Sequence, residues 1–178
     1  MKTYRKLTLA FLILILVVPQ VGADEPPENG PHVEYYENGQ KKLEYHYKNG
    51  KLDGLCTDWH ENGQKKFEGN YKNGERDGLW TRWYENGQKK AEAHYKDGKL
   101  HGLATFWYEN GQKEGEYHYK NGKQEGLSTS WHENGQKRLE SHRKNGVKDG
   151  LETWWDEDGN KTVEIQFKDG VEVSRKEF

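Results

Sequence analysis

The sequence predicts an all-β protein: an elongated array of antiparallel β-hairpins, a single twisted layer in which a 24-residue unit is repeated. Three observations lead to this fold class. The pentapeptide ENGQK recurs every 24 residues, at 37–41, 61–65, 85–89, 109–113 and 133–137, and a related EDGNK follows in phase at 157–161. Each unit holds two Asn-Gly or Asp-Gly turn signals. The residues between the turns alternate in character, as β-strands do.

The first 23 residues are predicted to be a signal peptide. Three positive side chains within 1–6 precede an apolar run of twelve residues at 7–18, and Ala23 supplies the small residue before a cut at Asp24. An uncleaved membrane anchor is the alternative, but a spanning helix needs roughly 18 apolar residues. We therefore expect an exported protein, secreted or held in the periplasm or cell envelope. Residues 24–32 are expected to be a linker, and residues 33–178 the repeat domain.

The charge of the chain after the leader limits its partners. Residues 24–178 carry 25 Lys and Arg against 30 Asp and Glu, a formal charge of −5. A mildly acidic protein argues against nucleic acid as a partner, and membrane contact is not expected beyond the signal segment. The single cysteine, Cys56, forms no intrachain disulfide, so stability must come from packing and backbone pairing.

Residues 78–101 show how one unit is expected to fold. In the first strand Leu79, Thr81 and Trp83 point to one side, and the same three residue types recur in every full copy. The residues between them vary from copy to copy, so we expect the Leu-Thr-Trp side to be packed and the other side to be solvated. In the second strand, Ala91 and Ala93 are expected to share the packed side.

The ENG turn is expected to be a three-residue loop, since a two-residue loop would mix the two faces. This loop pairs Tyr84 with Gln88 and sets Thr81 opposite Ala91. It is a type I turn followed by Gly87 with positive φ. At the second turn, Asp97-Gly98, the register stays open, because the glycine of the following HGL, DGL or EGL segment permits another bulge.

The recurring segment WYENGQKKxExxYKNGKxDG resembles the bacterial variant of the MORN repeat, a unit found in proteins labelled YwqK-type antitoxins. The resemblance covers residues 33 to about 170. It implies a β-hairpin array, in agreement with the analysis above. It also implies a scaffold, a lipid-contacting protein or a toxin-neutralising partner, without choosing between them. The predicted export signal argues against neutralisation of a toxin in the cytosol.

The sequence predicts neither catalysis nor a cofactor or metal. Serines and histidines occur in repeating registers without a glycine elbow around a nucleophile, and no phosphate-binding GxxxxGK[ST] loop is present. Glutamate and histidine recur two residues apart on the second strands. Equivalent histidines in successive units are ~9.6 Å apart, so they form a ladder that does not converge on one ion. The four pairs are Glu44-His46, Glu92-His94, Glu116-His118 and Glu140-His142.

A group of aromatic and arginine side chains is the predicted protein-binding site. These residues lie on neighbouring first strands of the third and fourth units, at positions that hold small or acidic residues elsewhere, and Trp, Tyr and Arg are typical of binding hot spots. The alternative is that aromatics simply suit strands. The site consists of Trp80, Arg82, Tyr84, Phe106 and Tyr108.

The predicted function is that of an exported, non-enzymatic binding or scaffold protein with a protein partner. An antitoxin or immunity protein is the alternative, and contact with lipid headgroups is a weaker one. The two unpaired edges of an open meander also allow a homodimer.

Overall fold

The computed structural model describes residues 26–178, so the predicted signal peptide lies outside the described residues. These residues form one antiparallel sheet of fourteen strands in chain order, with the two-residue β3 pairing only with β2. The described residues contain no helix, and hence none that is long and apolar enough to span a membrane. The prediction of an all-β open hairpin array is confirmed.

The strands follow the 24-residue period, and the first begins at Gly30, within the segment assigned to the linker. They are β1 (Gly30–Tyr35), β2 (Lys41–Lys48), β3 (Lys51–Leu52), β4 (Gly54–Trp59), β5 (Lys65–Lys72), β6 (Glu75–Trp83), β7 (Lys89–Lys96), β8 (Lys99–Trp107), β9 (Lys113–Lys120), β10 (Lys123–Trp131), β11 (Lys137–Lys144), β12 (Val147–Trp155), β13 (Lys161–Lys168) and β14 (Val171–Glu177).

The ENG turn has the predicted geometry. The amide of Gly87 donates to the carbonyl of Tyr84 at 3.0 Å, and the amide of Tyr84 donates to the carbonyl of Gln88 at 2.9 Å. Gly87 has a φ of 83°, in the left-handed region that a non-glycine residue adopts only with strain. The three-residue loop and its pairing are therefore confirmed.

The register beyond this turn differs from the prediction by one residue. Trp83 pairs with Lys89 and Arg82 pairs with Ala91, which leaves Lys90 as the extra residue of a β-bulge on β7. Thr81 consequently lies opposite Glu92, and not opposite Ala91. Because successive side chains point to opposite faces, this slip moves Ala91 and Ala93 to the other side of the sheet.

The sheet therefore has a constant face and a variable face. The constant face carries the recurring leucine, threonine and tryptophan of the first strands together with the glutamate of each second strand and the histidine two residues later, which is replaced by Asn70 in β5 and Gln166 in β13. The variable face carries the residues that differ between copies, together with the second-strand positions equivalent to Ala91, Ala93 and Tyr95. Cross-strand pairs such as Thr81 with Glu92 and Trp80 with Ala93 define the two sets.

The prediction that the varying position of Trp80 is solvated is wrong. Trp80 and its four equivalents are 0–8 % exposed, whereas Leu79 and its four equivalents are 37–43 % exposed. The bulge is the cause, since it places the varying positions beside the second-strand aromatics, which cover them. The residues equivalent to Trp80 are Cys56, Ala104, Ser128 and Glu152.

The constant face is stabilised by a motif that recurs along the array. In five units a lysine ammonium lies 5.6–5.9 Å from the centre of the indole ring of the following unit. The same lysine forms an ion pair with the glutamate three residues later, as Lys89 does with Glu92. The threonine beneath is 4–8 % exposed in each unit. The recurring identities thus follow from contacts between units.

The second turn is a two-residue loop, which settles the register that the sequence left open. Lys96 pairs with Lys99 around Asp97 and Gly98, whose φ values of 48° and 71° are those of a type I′ turn. Tyr95 then pairs with Leu100, but Ala93 pairs with Ala104. One residue of β7 therefore faces three residues of β8. This bulge includes Gly102 at a φ of 93°.

Candidate protein-binding surface

The variable face contains a groove of about 190 Å³ across β6, β7 and β8, which we call the Trp80 groove. Its lining includes two arginines and no acidic residue. The lining residues are Arg76, Trp80, Arg82, Ala91, Ala93, Tyr95, Leu100, Ala104 and Phe106.

Three alanines form the floor of the Trp80 groove. Ala93 pairs with Trp80 on one side and with Ala104 on the other, and Ala91 pairs with both Arg82 and Phe106. The positions equivalent to Ala91 in other units hold leucine, phenylalanine and valine, and Gly115 in the following unit. The groove exists in this part of the sheet because short side chains replace larger ones here.

Trp80 is a fixed wall of the groove. Its ring stacks on Phe67 with centroids 5.5 Å apart, meets Tyr71 and Tyr95 edge-on, and donates its Nε1–H to the carbonyl of Asn70 at 3.1 Å. A Cβ atom on Gly69 would overlap the indole ring, so glycine is needed there. Trp80 is 8 % exposed, which corrects the prediction that it stands on a solvated face.

The two arginines of the groove differ in their contacts. The guanidinium of Arg76 lies 4.5 Å from the centre of the Trp80 ring, and its Nη1 donates to the Tyr95 hydroxyl at 3.2 Å. Arg82 is exposed and makes no hydrogen bond or ion pair with any described residue. Arg76 is therefore part of the wall, and Arg82 is available to a ligand.

Phe106 forms the opposite wall. Its ring meets Tyr117 edge-on at a centroid distance of 5.7 Å, and 36 % of the residue remains exposed. An exposed phenylalanine beside an uncommitted guanidinium matches the composition of protein-binding hot spots. The structure thus brings together three predicted residues, Trp80, Arg82 and Phe106.

Tyr84 and Tyr108, which were also predicted for the site, are not in the groove. The Tyr84 hydroxyl donates to the carbonyl of Trp107, and the Tyr108 hydroxyl donates to that of Trp131, both at 2.7 Å. These bonds join one ENG turn to the next. Partial burial, the leading cause, raises the pKa of each phenol. Tyr84 and Tyr108 therefore link successive units, and a role for them in partner contact stays a prediction.

A signal for this linking role is present in the sequence. The position equivalent to Tyr84 always holds a hydrogen-bonding side chain, and four other copies are Tyr36, His60, His132 and Asp156. The rings of His60 and His132 also contact the tryptophan carbonyl of the next unit, at 3.3 and 3.0 Å. A position that varies only among polar types indicated a backbone contact.

The glutamate and histidine ladder lies on the constant face. The rings of His46, His118 and His142 each approach the carbonyl of a leucine on the following first strand, at 2.8, 3.1 and 3.5 Å. Within residues 26–178, no three His, Cys, Asp or Glu side chains converge as metal ligands.

A second groove, of about 470 Å³, occurs three units further along the variable face and was not predicted. Its Lys148, Glu152 and Trp154 are equivalent to Arg76, Trp80 and Arg82. We call it the Glu152 groove. No sequence signal indicated it, because its phenylalanine and isoleucine walls depend on the bulged register. It is also lined by Thr162, Val163, Ile165, Phe167 and Arg175.

Glu152 is a buried carboxylate with two partners. It is 3 % exposed, and its oxygens accept from Trp154 Nε1 at 3.0 Å and from Lys148 Nζ at 2.8 Å. The ammonium of Lys148 also lies 4.5 Å from the centre of the Phe167 ring. The negative charge of Glu152 is thus already neutralised within the sheet by Lys148.

A family model described as the MORN repeat variant matches six consecutive segments of the chain. They begin 24 residues apart and together cover most of residues 28–169. No curated protein sequence matches the chain. The matched segments are 28–49, 52–73, 76–97, 100–121, 124–145 and 148–169.

Proposed function

This chain belongs to the MORN repeat variant family, and from that premise we propose that it is an exported, non-enzymatic binding protein whose variable face holds another protein. The family is generally non-catalytic, and a repeat array of this kind is consistent with a binding or scaffold role. Export is supported by the pattern of residues 1–23, with a basic start, an apolar run and a small residue before Asp24.

The difference between the two faces is the observation that carries the proposal. The constant face repeats the contacts that join units, and the variable face is free to differ. On the variable face, alanines open a groove beside an exposed Phe106 and an uncommitted Arg82. Aromatic and arginine side chains around a small pocket are the groups that dominate protein-protein binding energy.

The proposal is tested by matched substitutions of two exposed apolar residues in one unit. Phe106 on the variable face is 36 % exposed, and Leu103 on the constant face is 37 % exposed. Residues 24–178 carrying Phe106→Ser should capture about tenfold less of the partner from the secreted or envelope fraction, as expected when a hot-spot residue is lost. Leu103→Ser should capture as much as the unchanged protein. Mass spectrometry of the captured band measures the effect.

Two results would overturn the proposal. One is a captured protein that responds equally to both substitutions, and the other is the absence of any single specific protein in the captured material. The identity of the partner separates the two kinds of binding role. A toxic protein would indicate an immunity function, and a structural component of the envelope would indicate a scaffold.

A further inference from the structure

We propose that the Trp80 groove binds an extended acidic segment of the partner, with one aromatic side chain of that segment in the groove and a neighbouring carboxylate on Arg82. The inference rests on the proposed function, and it specifies the chemistry of what binds. It concerns the centre of the variable face, from β6 to β8.

The size of the groove indicates a single side chain as its occupant. Small-molecule pockets enclose ~300–1,000 Å³, whereas this groove measures about 190 Å³. Its floor is made of alanine methyl groups, and its walls are the rings of Trp80 and Phe106. An aromatic ring placed between these walls would form the offset or edge-on contacts that such pairs favour.

The charges of the groove indicate an acidic neighbour for that side chain. None of the nine lining residues is acidic, and two are arginine. Arg76 is engaged with Trp80 and Tyr95, which leaves Arg82 to pair with an incoming group. A guanidinium binds a carboxylate through two parallel hydrogen bonds, which fixes the orientation of the ligand as well as its affinity.

The arginines of the described chain support the same assignment. All five lie on the variable face, although the more numerous lysines occur throughout. Arginine is enriched in protein interfaces and lysine is depleted. Besides Arg76 and Arg82 in the groove, Arg138 donates to Ser130, Arg143 pairs with Gly126, and Arg175 pairs with Ile165.

A protein segment fits this surface better than a lipid headgroup. A bilayer is a broad anionic surface and would face the whole sheet, where residues 24–178 carry a formal charge of −5, whereas a short segment meets only the groove lining, which has two arginines and no acidic residue. A phosphate headgroup also has no apolar group that could pack against the ring of Phe106 and the alanine floor. An anionic vesicle is therefore the competing outcome of the test.

The repeats themselves supply variants that the fold accepts. Arg82→Ser copies Ser130, and Ala91→Leu copies Leu43 and Leu139, which occupy the equivalent positions in other units. The first removes the guanidinium and the second fills the floor of the groove. Arg175→Ser is the matched control, because it removes the same charge from the same face but far from the groove.

The probe is a fluorescein-labelled pentapeptide with a central tryptophan flanked by two aspartates on each side. Its binding to residues 24–178 is followed by fluorescence anisotropy. Arg82→Ser should weaken binding about tenfold, the range of a hydrogen bond to a charged group. Ala91→Leu should weaken it by a similar factor, and Arg175→Ser should change it less than twofold. Replacing the central tryptophan by alanine, or the aspartates by lysines, should abolish binding.

Several outcomes would overturn the inference. Equal loss in Arg82→Ser and Arg175→Ser would indicate diffuse charge attraction, and preferential binding to phosphatidylglycerol vesicles would indicate a lipid ligand. Self-association that blocks the peptide, seen as a concentration-dependent mass, would indicate a second copy on this face. If the natural partner depends on Phe106 but neither it nor the peptide depends on Arg82, the proposed function stands and this inference fails.

Discussion

Asp58 illustrates how one position of the variable face can work against stability. It occupies the place of Arg82 one unit earlier, and its cross-strand neighbours are Leu43 and Phe67. Its Oδ1 atom is buried without a hydrogen-bond partner among the described residues. Burial raises the pKa of this carboxyl, and a hydrogen bond from Tyr45 opposes the shift only in part. Folding therefore favours the protonated form.

Asp58→Asn should stabilise the protein at neutral pH. A carboxyl whose pKa is raised by folding binds its proton more tightly in the native state, so its ionisation costs stability as the pH rises through that raised pKa. The variant should exceed the parent in free energy of unfolding at pH 7. The difference should disappear below the unfolded-state pKa of about 3.9.

Urea unfolding between pH 3 and pH 7 measures this difference. Asp53→Asn is a useful control, because the carboxylate of Asp53, unlike Oδ1 of Asp58, has a hydrogen-bond partner and accepts from the amide of Asn73 at 3.0 Å. A difference between parent and Asp58→Asn that does not change with pH would refute the explanation.

Within one hairpin, local sequence determines the turns but not the bulge that follows. Gly87 favours a turn type that depends on its own φ angle, so the first turn could be derived from the sequence. The Asp97-Gly98 pair indicated a second turn, but its register became clear only from the structure. The bulge at Lys90 has no such signal, since a Lys-Lys dipeptide suits a regular strand as well. The bulge accompanies contacts between units that local sequence does not reveal, such as that of Lys65 with Trp83.

Tyr84→Phe should lower stability without affecting partner binding. The change removes the hydrogen bond from the Tyr84 hydroxyl to the carbonyl of Trp107, and a bond of this kind contributes about 0.5–1.5 kcal/mol. Tyr35→Phe is the matched control, because Tyr35 is 60 % exposed and its hydroxyl has no partner among the described residues. Urea unfolding and the capture assay measure the two effects.

A loss of partner capture in Tyr84→Phe, at unchanged stability, would return this residue to the binding site. The same variant thus separates a link between units from a surface contact.

Across the full array, each unit hydrogen-bonds only to its neighbours, and no insertion interrupts the period. Stability is then close to a sum of terms within units and between adjacent units.

The same regularity explains what could be predicted of the site. Trp80, Arg82 and Phe106 lie on equivalent strands, so alternation alone placed them together. Ala91 and Ala93 of the groove floor lie on β7, beyond the ENG turn. Which face of the sheet they occupy depends on the bulge at Lys90, which the sequence does not reveal.

Deletion of one full unit should be tolerated, whereas deletion of half a unit should not. Removing residues 100–123 joins Lys99 to Gln124, the equivalent of Leu100, and keeps the strands in phase. The shortened protein should unfold cooperatively, with a urea m-value smaller by about one sixth, because m scales with the surface exposed. Removing residues 100–111 joins Lys99 to Gln112, so that β7 is followed directly by β9, another second strand, in place of a first strand.

Circular dichroism and urea unfolding distinguish the two deletions. A half-unit deletion that folds as well as the full-unit deletion would show that the 24-residue phase is not what holds the sheet together.

The Trp80 and Glu152 grooves occupy corresponding places three units apart, so the distance between them is fixed by the repeat. Six strand spacings separate them, a distance on the order of 29 Å along the untwisted stack. Backbone hydrogen bonds set the spacing between neighbouring strands, so substitutions of side chains leave the separation of the two grooves unchanged. A partner with two anchors at this separation would gain affinity through effective concentration, whereas partners with shorter or longer spans would not.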